Sequence, residues 1–418
     1  MAIIGSVNFR LKFNGYLVPI ALLAIVSANS RADETDALNY FVGQGVVFDS
    51  NLFRLPDGVH PSAVATGVAD PPRSDTYFNT FAGIRFDKVY SRQHLRADFA
   101  VTHYAYRTYD YLDFTGVSGR AAWDWAVGDR WNGVLAYDQT QTPSNYATQT
   151  GFRTAYQLYQ RATVDANYWW HPDWSAGAGL AKVRSNYNNS FNSFSDYDAD
   201  IVDARITYRP SSGNQVRLLV RRTDGNYPNR VRTPTGFLAQ PYTQDDYEAE
   251  AKWVLDGHSR VYGRVGYTNV SYGGGASGLR GFNGPTARLV YDWIPTGKTT
   301  VSLVLRRDIG PEPQENLNAS FVATSAASIA VSWALSPKTS VRGFAEWRKR
   351  ELGGDVVLVD GALRNPTYTR YYTFTGTWTP ERSLFFNVTL GRETRTGNNL
   401  AYPNYDDNTV SANVQFSF

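Results

Sequence analysis

The sequence predicts an all-β chain: a transmembrane, antiparallel, up-and-down β-barrel of about 18 strands behind a cleaved signal peptide. Three observations carry that prediction. Period-two segments, apolar on one face and polar on the other, recur from residue 38 to the end of the chain. Tight turns and long polar connections alternate between them, the asymmetry expected of outer-membrane barrels. The last segment sets Val410, Ala412, Val414, Phe416 and Phe418 against Ser411, Asn413, Gln415 and Ser417, and it ends on Phe.

Composition agrees with a large closed sheet. The 418 residues include 28 Tyr, 22 Phe and 11 Trp, types that suit a pleated, half-buried surface. Cys is absent, which excludes a disulfide framework, thiolate chemistry, a Cys-based metal site and a lipidated-Cys anchor. A mean hydropathy of −0.39 is too polar for a helical membrane protein, so insertion has to come from alternation rather than from apolar runs.

The first element is a targeting segment, residues 1–32. Arg10 and Lys12 form a basic start, Tyr16 to Val26 is a short apolar run, and Ser30-Arg31-Ala32 places small residues around a cleavage site. The run is too short to span about 30 Å of hydrocarbon as a helix. Cleavage after Ala32 removes Arg10, Lys12 and Arg31, so 41 basic residues become 38, against 38 acidic. A near-neutral mature chain does not point to nucleic acid. Residues 33–418 then form the barrel, exported to the bacterial outer membrane.

Strands are predicted over 38–50, 76–90, 93–107, 116–128, 131–142, 151–170, 174–187, 197–209 and 214–224. They continue over 244–256, 259–272, 281–295, 299–309, 320–336, 339–350, 366–379, 383–395 and 406–418. The total falls to 16 if a weak pair such as 174–187 with 197–209 is misread. Tight turns rich in Pro, Gly and Asp, among them 128–129, 171–173, 210–213, 295–297 and 337–338, recur roughly every 40 residues. A β-propeller has a similar period but needs four short strands in each, where this chain has two long ones. The long connections are 51–75, 143–150, 188–196, 225–243, 310–319, 351–365 and 396–405. Of these, 51–75 and 225–243 are candidates to fold inward and constrict the lumen.

In lipid a sheet spans only if it closes, because every backbone N–H and C=O needs a partner inside the protein. Tyr and Trp near strand ends, including Trp123, Trp125, Trp131, Tyr168, Trp169, Trp170, Trp174, Trp253, Trp293 and Trp378, suit the headgroup level. Alternation assigns a charged set to the lumen: Arg85, Arg96, Asp98, Arg161, Arg205, Arg217, Arg221, Glu248 and Glu250. Arg264, Arg288, Asp292, Arg306, Asp308, Arg342, Glu346 and Arg348 complete it. Asp165, Asp203, Lys252, Arg260, Glu393 and Arg395 fall on the same face. Such residues either guide a polar, anionic solute such as a saccharide or pair with one another and keep the channel wet.

Other chemistry has little support. His60, His94, His103, His171 and His258 lie in separate segments without metal-ligand spacing, and no cofactor is implied. A barrel enzyme needs a Ser activated by a nearby base, and alternation puts His103 on the lipid side. Gly177, Gly179, Gly263 and Gly266 read as places where strands bend.

Two stretches carry a family resemblance. Leu38-Asn39-Tyr40-Phe41-Val42 with Asp49-Ser50-Asn51-Leu52-Phe53-Arg54-Leu55-Pro56-Asp57 resembles the opening of outer-membrane barrels from exopolysaccharide operons associated with exosortase and PEP-CTERM sorting. The run Tyr168-Trp169-Trp170-His171-Pro172-Asp173-Trp174 and the terminal Phe418 are similar as well. The resemblance implies a porin-like barrel in exopolysaccharide biosynthesis and export, with the polysaccharide and periplasmic export components as partners, and no catalytic residues. The C-terminal strand, through Val414, Phe416 and Phe418, resembles the signal that barrel-assembly machinery recognises. Outer-membrane lipids are the remaining partner. A general or sugar-selective diffusion porin, and a structural or adhesive barrel with a closed lumen, are the alternatives.

Overall fold

The computed structural model describes residues 37–143, 146, 151–189, 192–234, 236–273, 279–311, 319–354, 365–397 and 402–418. Residues 1–32, where a targeting segment is expected, and the central residues of most long connections lie outside that set. Eighteen antiparallel strands follow one another in chain order around a closed sheet. They are β1 (Leu38–Asp49), β2 (Asp75–Tyr90), β3 (Gln93–Tyr106), β4 (Phe114–Val127), β5 (Trp131–Pro143), β6 (Tyr156–His171), β7 (Trp174–Tyr187), β8 (Tyr197–Tyr208) and β9 (Gln215–Thr233). The circuit continues with β10 (Gly236–Val254), β11 (Ser259–Tyr272), β12 (Phe282–Thr296), β13 (Thr299–Pro311), β14 (Phe321–Ser336), β15 (Thr339–Gly353), β16 (Thr367–Glu381), β17 (Leu384–Thr396) and β18 (Tyr405–Ser417).

Closure is made by β1 against β18, in register from Phe41 with Ser417 to Asp49 with Thr409. Beyond the ladder, Tyr40 N–H donates to the Phe418 carbonyl at 2.7 Å and Phe418 N–H donates back to Tyr40 at 2.9 Å. The circuit therefore has no free edge to expose to lipid. Val414, Phe416 and Phe418 fall on the outer face, and the Phe418 ring stacks on Tyr40 at 5.9 Å.

Alternation decides which residues meet lipid. Val216, Leu218 and Val220 of β9 are exposed on the outside, while Leu219 between them is buried. The same parity runs through registered neighbours: Leu289, Leu305, Ala327 and Trp347 share one outer row across β12 to β15. Exposed Trp131, Trp170, Trp174, Trp253, Trp293, Trp333 and Trp378 gather near the short-turn ends, as an interfacial girdle requires. Trp169 is an exception to its sequence reading. It faces the lumen, where the Arg209 guanidinium lies over its ring at 4.4 Å.

Two expectations need correction. The segment expected at 225–243 is not an inward loop; residues 225–233 and 236–243 extend β9 and β10 into a long hairpin, with a register shift between Leu238 and Gln240. The glycines also differ from one another. A Cβ at Gly177 would lie 2.7 Å from Arg205 Nε and one at Gly179 would run into the Asp203 carboxylate, so both make room for lumen side chains instead of bending the strand. A Cβ at Gly263 would meet open space.

Gly133 is the contrasting case. A side chain there would collide with the Asp165 carbonyl and lie 2.5 Å from the Trp125 ring, and backbone does not yield cheaply. Gly133→Ala is expected to cost about 1–3 kcal/mol by overpacking and to lower the heat-modifiability midpoint of the folded barrel on semi-native gels. Gly263→Ala should leave that midpoint in place, and equal effects of the two would contradict the account.

Candidate functional site in the lumen

All 23 charged residues assigned to the lumen by alternation lie on the inner parity of their strands. The register sorts them into two unlike walls. On the wall from β2 to β6, Arg85, Asp98, Arg120, Asp138 and Arg161 stand side by side in one row of alternating sign. Arg85 donates to Asp98 at 2.8 Å and Arg120 to Asp138 at 3.0 Å. Arg96 pairs with Asp124 on the same side. Further round, Arg205 is nearly buried, donating to Asp203 at 2.8 Å, to Asn167 and to Asp165 in the space left by Gly177 and Gly179. Arg161 ends its row with a donation to Thr163 Oγ1 at 3.3 Å and no acidic partner among the described residues, while the other cations here are neutralised locally.

The wall from β9 to β17 is built differently. One registered inner row reads Arg217, Glu250, Arg264, Arg288, Arg306, Ala326, Arg348, Thr369 and Arg395. Arg264, Arg288 and Arg306 are direct cross-strand neighbours. Strands lie about 4.8 Å apart, and like charges at such a spacing repel by about 1 kcal/mol even in bulk water. A sheet gains nothing in stability from that placement.

Glu250 is the one acid within the row, and the others flank it. Arg217 has Glu250 at 3.5 Å; Arg264 has Glu248 at 3.5 Å and Asp308 at 3.4 Å; Arg306 has Asp308 at 3.5 Å and Glu346 at 3.8 Å. Arg348 pairs with Glu346, and Arg221 lies 3.5 Å from Glu248. Arg288 has no acidic partner among the described residues, and neither does Arg342. Asp292 accepts from Ser302 Oγ at 2.6 Å instead of pairing with a cation. Because the row follows the hydrogen-bonding direction of tilted strands, it climbs. Arg217 stands near the short-turn end of β9, and Arg395 near the long-loop end of β17. The arginines thus form a staircase through the length of the channel.

The mouth is narrowed on the opposite side. Residues 51–74 fold inward: Leu52 and Phe53 pack with Tyr106, Tyr109 and Leu112, over the lumen-facing rings of Tyr77 and Tyr104. Within this loop, α1 (Ala63–Thr66) is a single turn capped by Ser62. A knot of charge fixes its root. Arg54, in a left-handed conformation at φ 54°, donates to Asp49 at 2.9 Å and lies 3.0 Å from Asp407 and 3.9 Å from Glu393. Burial works to lower its pKa, but Asp49, Asp407 and Glu393 outweigh it and hold the pKa above the ordinary arginine value. Asn51 adds a donation from Nδ2 to the Asp406 carbonyl at 3.0 Å. In a second inward cluster, Tyr242 stacks on Tyr197 and Tyr227, and Tyr272 and Phe282 continue it in tilted ring contacts. Tyr227, Tyr242 and Phe282 are buried against their neighbours, so this cluster is packing rather than a surface for solute.

Arg120, Asp138 and Arg54 escape the sequence reading. The first two follow from extending the alternation of Ala121 and Trp123 across β4 and β5. Arg54 is inside the quoted 49–57 stretch, but only the fold brings Asp407 to it. His103 does face outward, with Nδ1 2.9 Å from Thr115 Oγ1, and among the described residues no group of His, Asp and Glu is arranged to hold a metal.

Neither a protein-family model nor a curated protein matches the sequence. Solved structures do match in fold. The outer membrane protein OpdK of Pseudomonas aeruginosa aligns with a TM-score of 0.50 at 11% identity, over 91% of this chain and 99% of that one. OccK2 (OpdF) of the same organism gives 0.50 at 11% identity over 92% and 98%, and OccK9 (OpdG) gives 0.50 at 10% over 92% and 99%. The fold is therefore that of a closed outer-membrane β-barrel, and the apolar outer belt around a charged lumen places it in the bacterial outer membrane.

Removing Arg54 leaves Asp49, Asp407 and Glu393 facing one another without their cation. Arg54→Ala should release the root of the 51–74 loop and give larger or flickering single-channel steps in planar bilayers. Steps identical to wild type would show that the knot does not narrow the pore.

Proposed function

We propose that the barrel is a diffusion channel for small, polar, anionic solutes, with sugar acids as the best-fitting class. The observation that supports this most is the registered run Arg264, Arg288 and Arg306, continued by Arg217 and Arg348 into a staircase between the two mouths. Repulsion between neighbouring guanidiniums is relieved when an anion sits between them, and the guanidinium fork matches a carboxylate in two-point geometry. A solute bound by one step has the next within reach. Transit needs sites that are favourable to enter and weak enough to leave, and the flanking carboxylates of Glu248, Asp308 and Glu346 keep each step from binding tightly. The neutral Arg–Asp wall opposite supplies hydrated hydrogen-bonding groups for hydroxyls.

A finer reading names the anion as an exopolysaccharide and the direction as outward. Its support is the resemblance of 38–57 and 168–174 to exopolysaccharide-operon barrels, and the staircase is compatible with an acidic polymer. Barrel-assembly machinery as a partner rests in the same way on the outward Val414, Phe416 and Phe418.

The channel reading is tested in proteoliposomes. Swelling should be faster in a hexuronate than in a neutral hexose of similar size, and Arg264→Ser, Arg288→Ser and Arg306→Ser together should remove most of that advantage, on the order of fivefold. Removing Arg85 and Asp98 together should not. A triple variant that keeps the preference would overturn the role of the staircase. The finer reading predicts loss of surface polysaccharide on deletion of the gene, restored by wild type and not by the triple variant; a deletion strain with normal polysaccharide would leave only the diffusion channel.

A further inference from the structure

The outer face carries a second charged feature, separate from the lumen. Two outer rows run in register across the same strands as the staircase. One is Ala251, Gly263, Leu289, Leu305, Ala327, Trp347 and Arg370; the other is Ala249, Val265, Ala287, Arg307, Ser325, Lys349 and Tyr368. Small residues on β10, β11, β12 and β14 leave a furrow of about 1190 Å³ between these rows. Its lining is apolar along most of its length, and it climbs from the short-turn end of β10 to the long-loop end of β16. At that upper end stand Arg307, Lys349 and Arg370, with Arg392 on the next strand and the exposed rings of Trp347 and Tyr368 among them.

Cations facing a membrane are costly unless they reach a partner at the interface. Here protein partners are few. Arg307 donates to Ser325 Oγ at 3.3 Å, Lys349 has Glu351 at 2.7 Å, and Arg392 is 3.8 Å from Asp406. Arg370 has no acidic partner among the described residues. The outer face of β7 to β10 at the same height is different. Lys182 has Asp200 at 3.1 Å, Arg184 has Asp198 at 2.9 Å, and Arg222 has both Asp224 and Asp245 within 3.8 Å. Of these two faces, the one above the furrow keeps an excess of positive charge among the described residues.

We infer that this furrow and its cationic head bind a phosphorylated lipid of the outer leaflet, acyl chain in the furrow and phosphate against Arg307, Lys349 and Arg370. Charge complementarity selects the headgroup. Arg307 and Lys349 are two strands apart, roughly 10 Å, with Arg370 one strand further, so the three cations can engage phosphates on one sugar headgroup. The apolar furrow directly below distinguishes a lipid from a free anion, and the site is independent of solute passage on the other side of the wall.

Native mass spectrometry of the folded barrel in detergent, titrated with bis-phosphorylated lipid A, tests this. Wild type should retain lipid A at least fivefold better than it retains dephosphorylated lipid A, a comparison that needs no variant. Arg307→Ser, Lys349→Ser and Arg370→Ser together should abolish the difference, while Lys182→Ser, Arg184→Ser and Arg222→Ser should not. Heat-modifiability checks that each variant is folded. Equal retention of the two lipids by wild type would overturn the inference, and so would competition by millimolar inorganic phosphate alone, which would mark a site for free anions.

Discussion

The closed architecture of this protein follows from the need to satisfy backbone hydrogen bonds where no water is present. A sheet in hydrocarbon cannot leave an edge, so β18 has to return to β1, and the donations exchanged between Tyr40 and Phe418 finish that seam. Closure gives each strand one face toward lipid and one toward the lumen. Polar residues can then occupy half of the wall without meeting lipid, which is why so charged a chain can be a membrane protein.

Given that wall, the distribution of charge is a choice that stability does not dictate. The β2 to β6 side alternates Arg and Asp, and Arg85, Arg96 and Arg120 each hold an aspartate. The β9 to β17 side sets Arg264, Arg288 and Arg306 abreast, which repels. Exposed ion pairs contribute little stability in either arrangement, so what the two walls differ in is the potential they present to the lumen. The inward 51–74 loop reinforces the difference by occupying the mouth above the neutral wall, with Arg54 as its fastener.

The sequence alone revealed most of the architecture and little of this asymmetry. Strand number and most boundaries were legible because alternation and turn chemistry are local signals. The hairpin from 225 to 243 was not, since Gly225, Pro228, Pro234 and Pro241 break the pattern, and a stretch where β9 and β10 lengthen beyond the usual span looks like a loop. The face of each arginine could be read from its strand, but which arginines are neighbours depends on register, and register is a property of paired strands. Arg288 in isolation is one more lumen charge; between Arg264 and Arg306 it is a step. The glycines show the same limit. Gly177 and Gly179 look like bends until Arg205 is found in the space they leave. The knot at Arg54 joins residues more than 350 positions apart through ring closure.

The inner and outer faces of β10 to β16 share one geometric origin, because rows in register on a tilted sheet climb on both sides of the wall. The central claim concerns the inner row: the lumen is an open path whose field favours anions. The reversal potential of the refolded wild-type channel in a planar bilayer, under a tenfold gradient of potassium chloride, tests it most directly. The account predicts stable conductance with the sign of a chloride-selective pore. A cation-selective potential, or a folded barrel that passes no current, would contradict it.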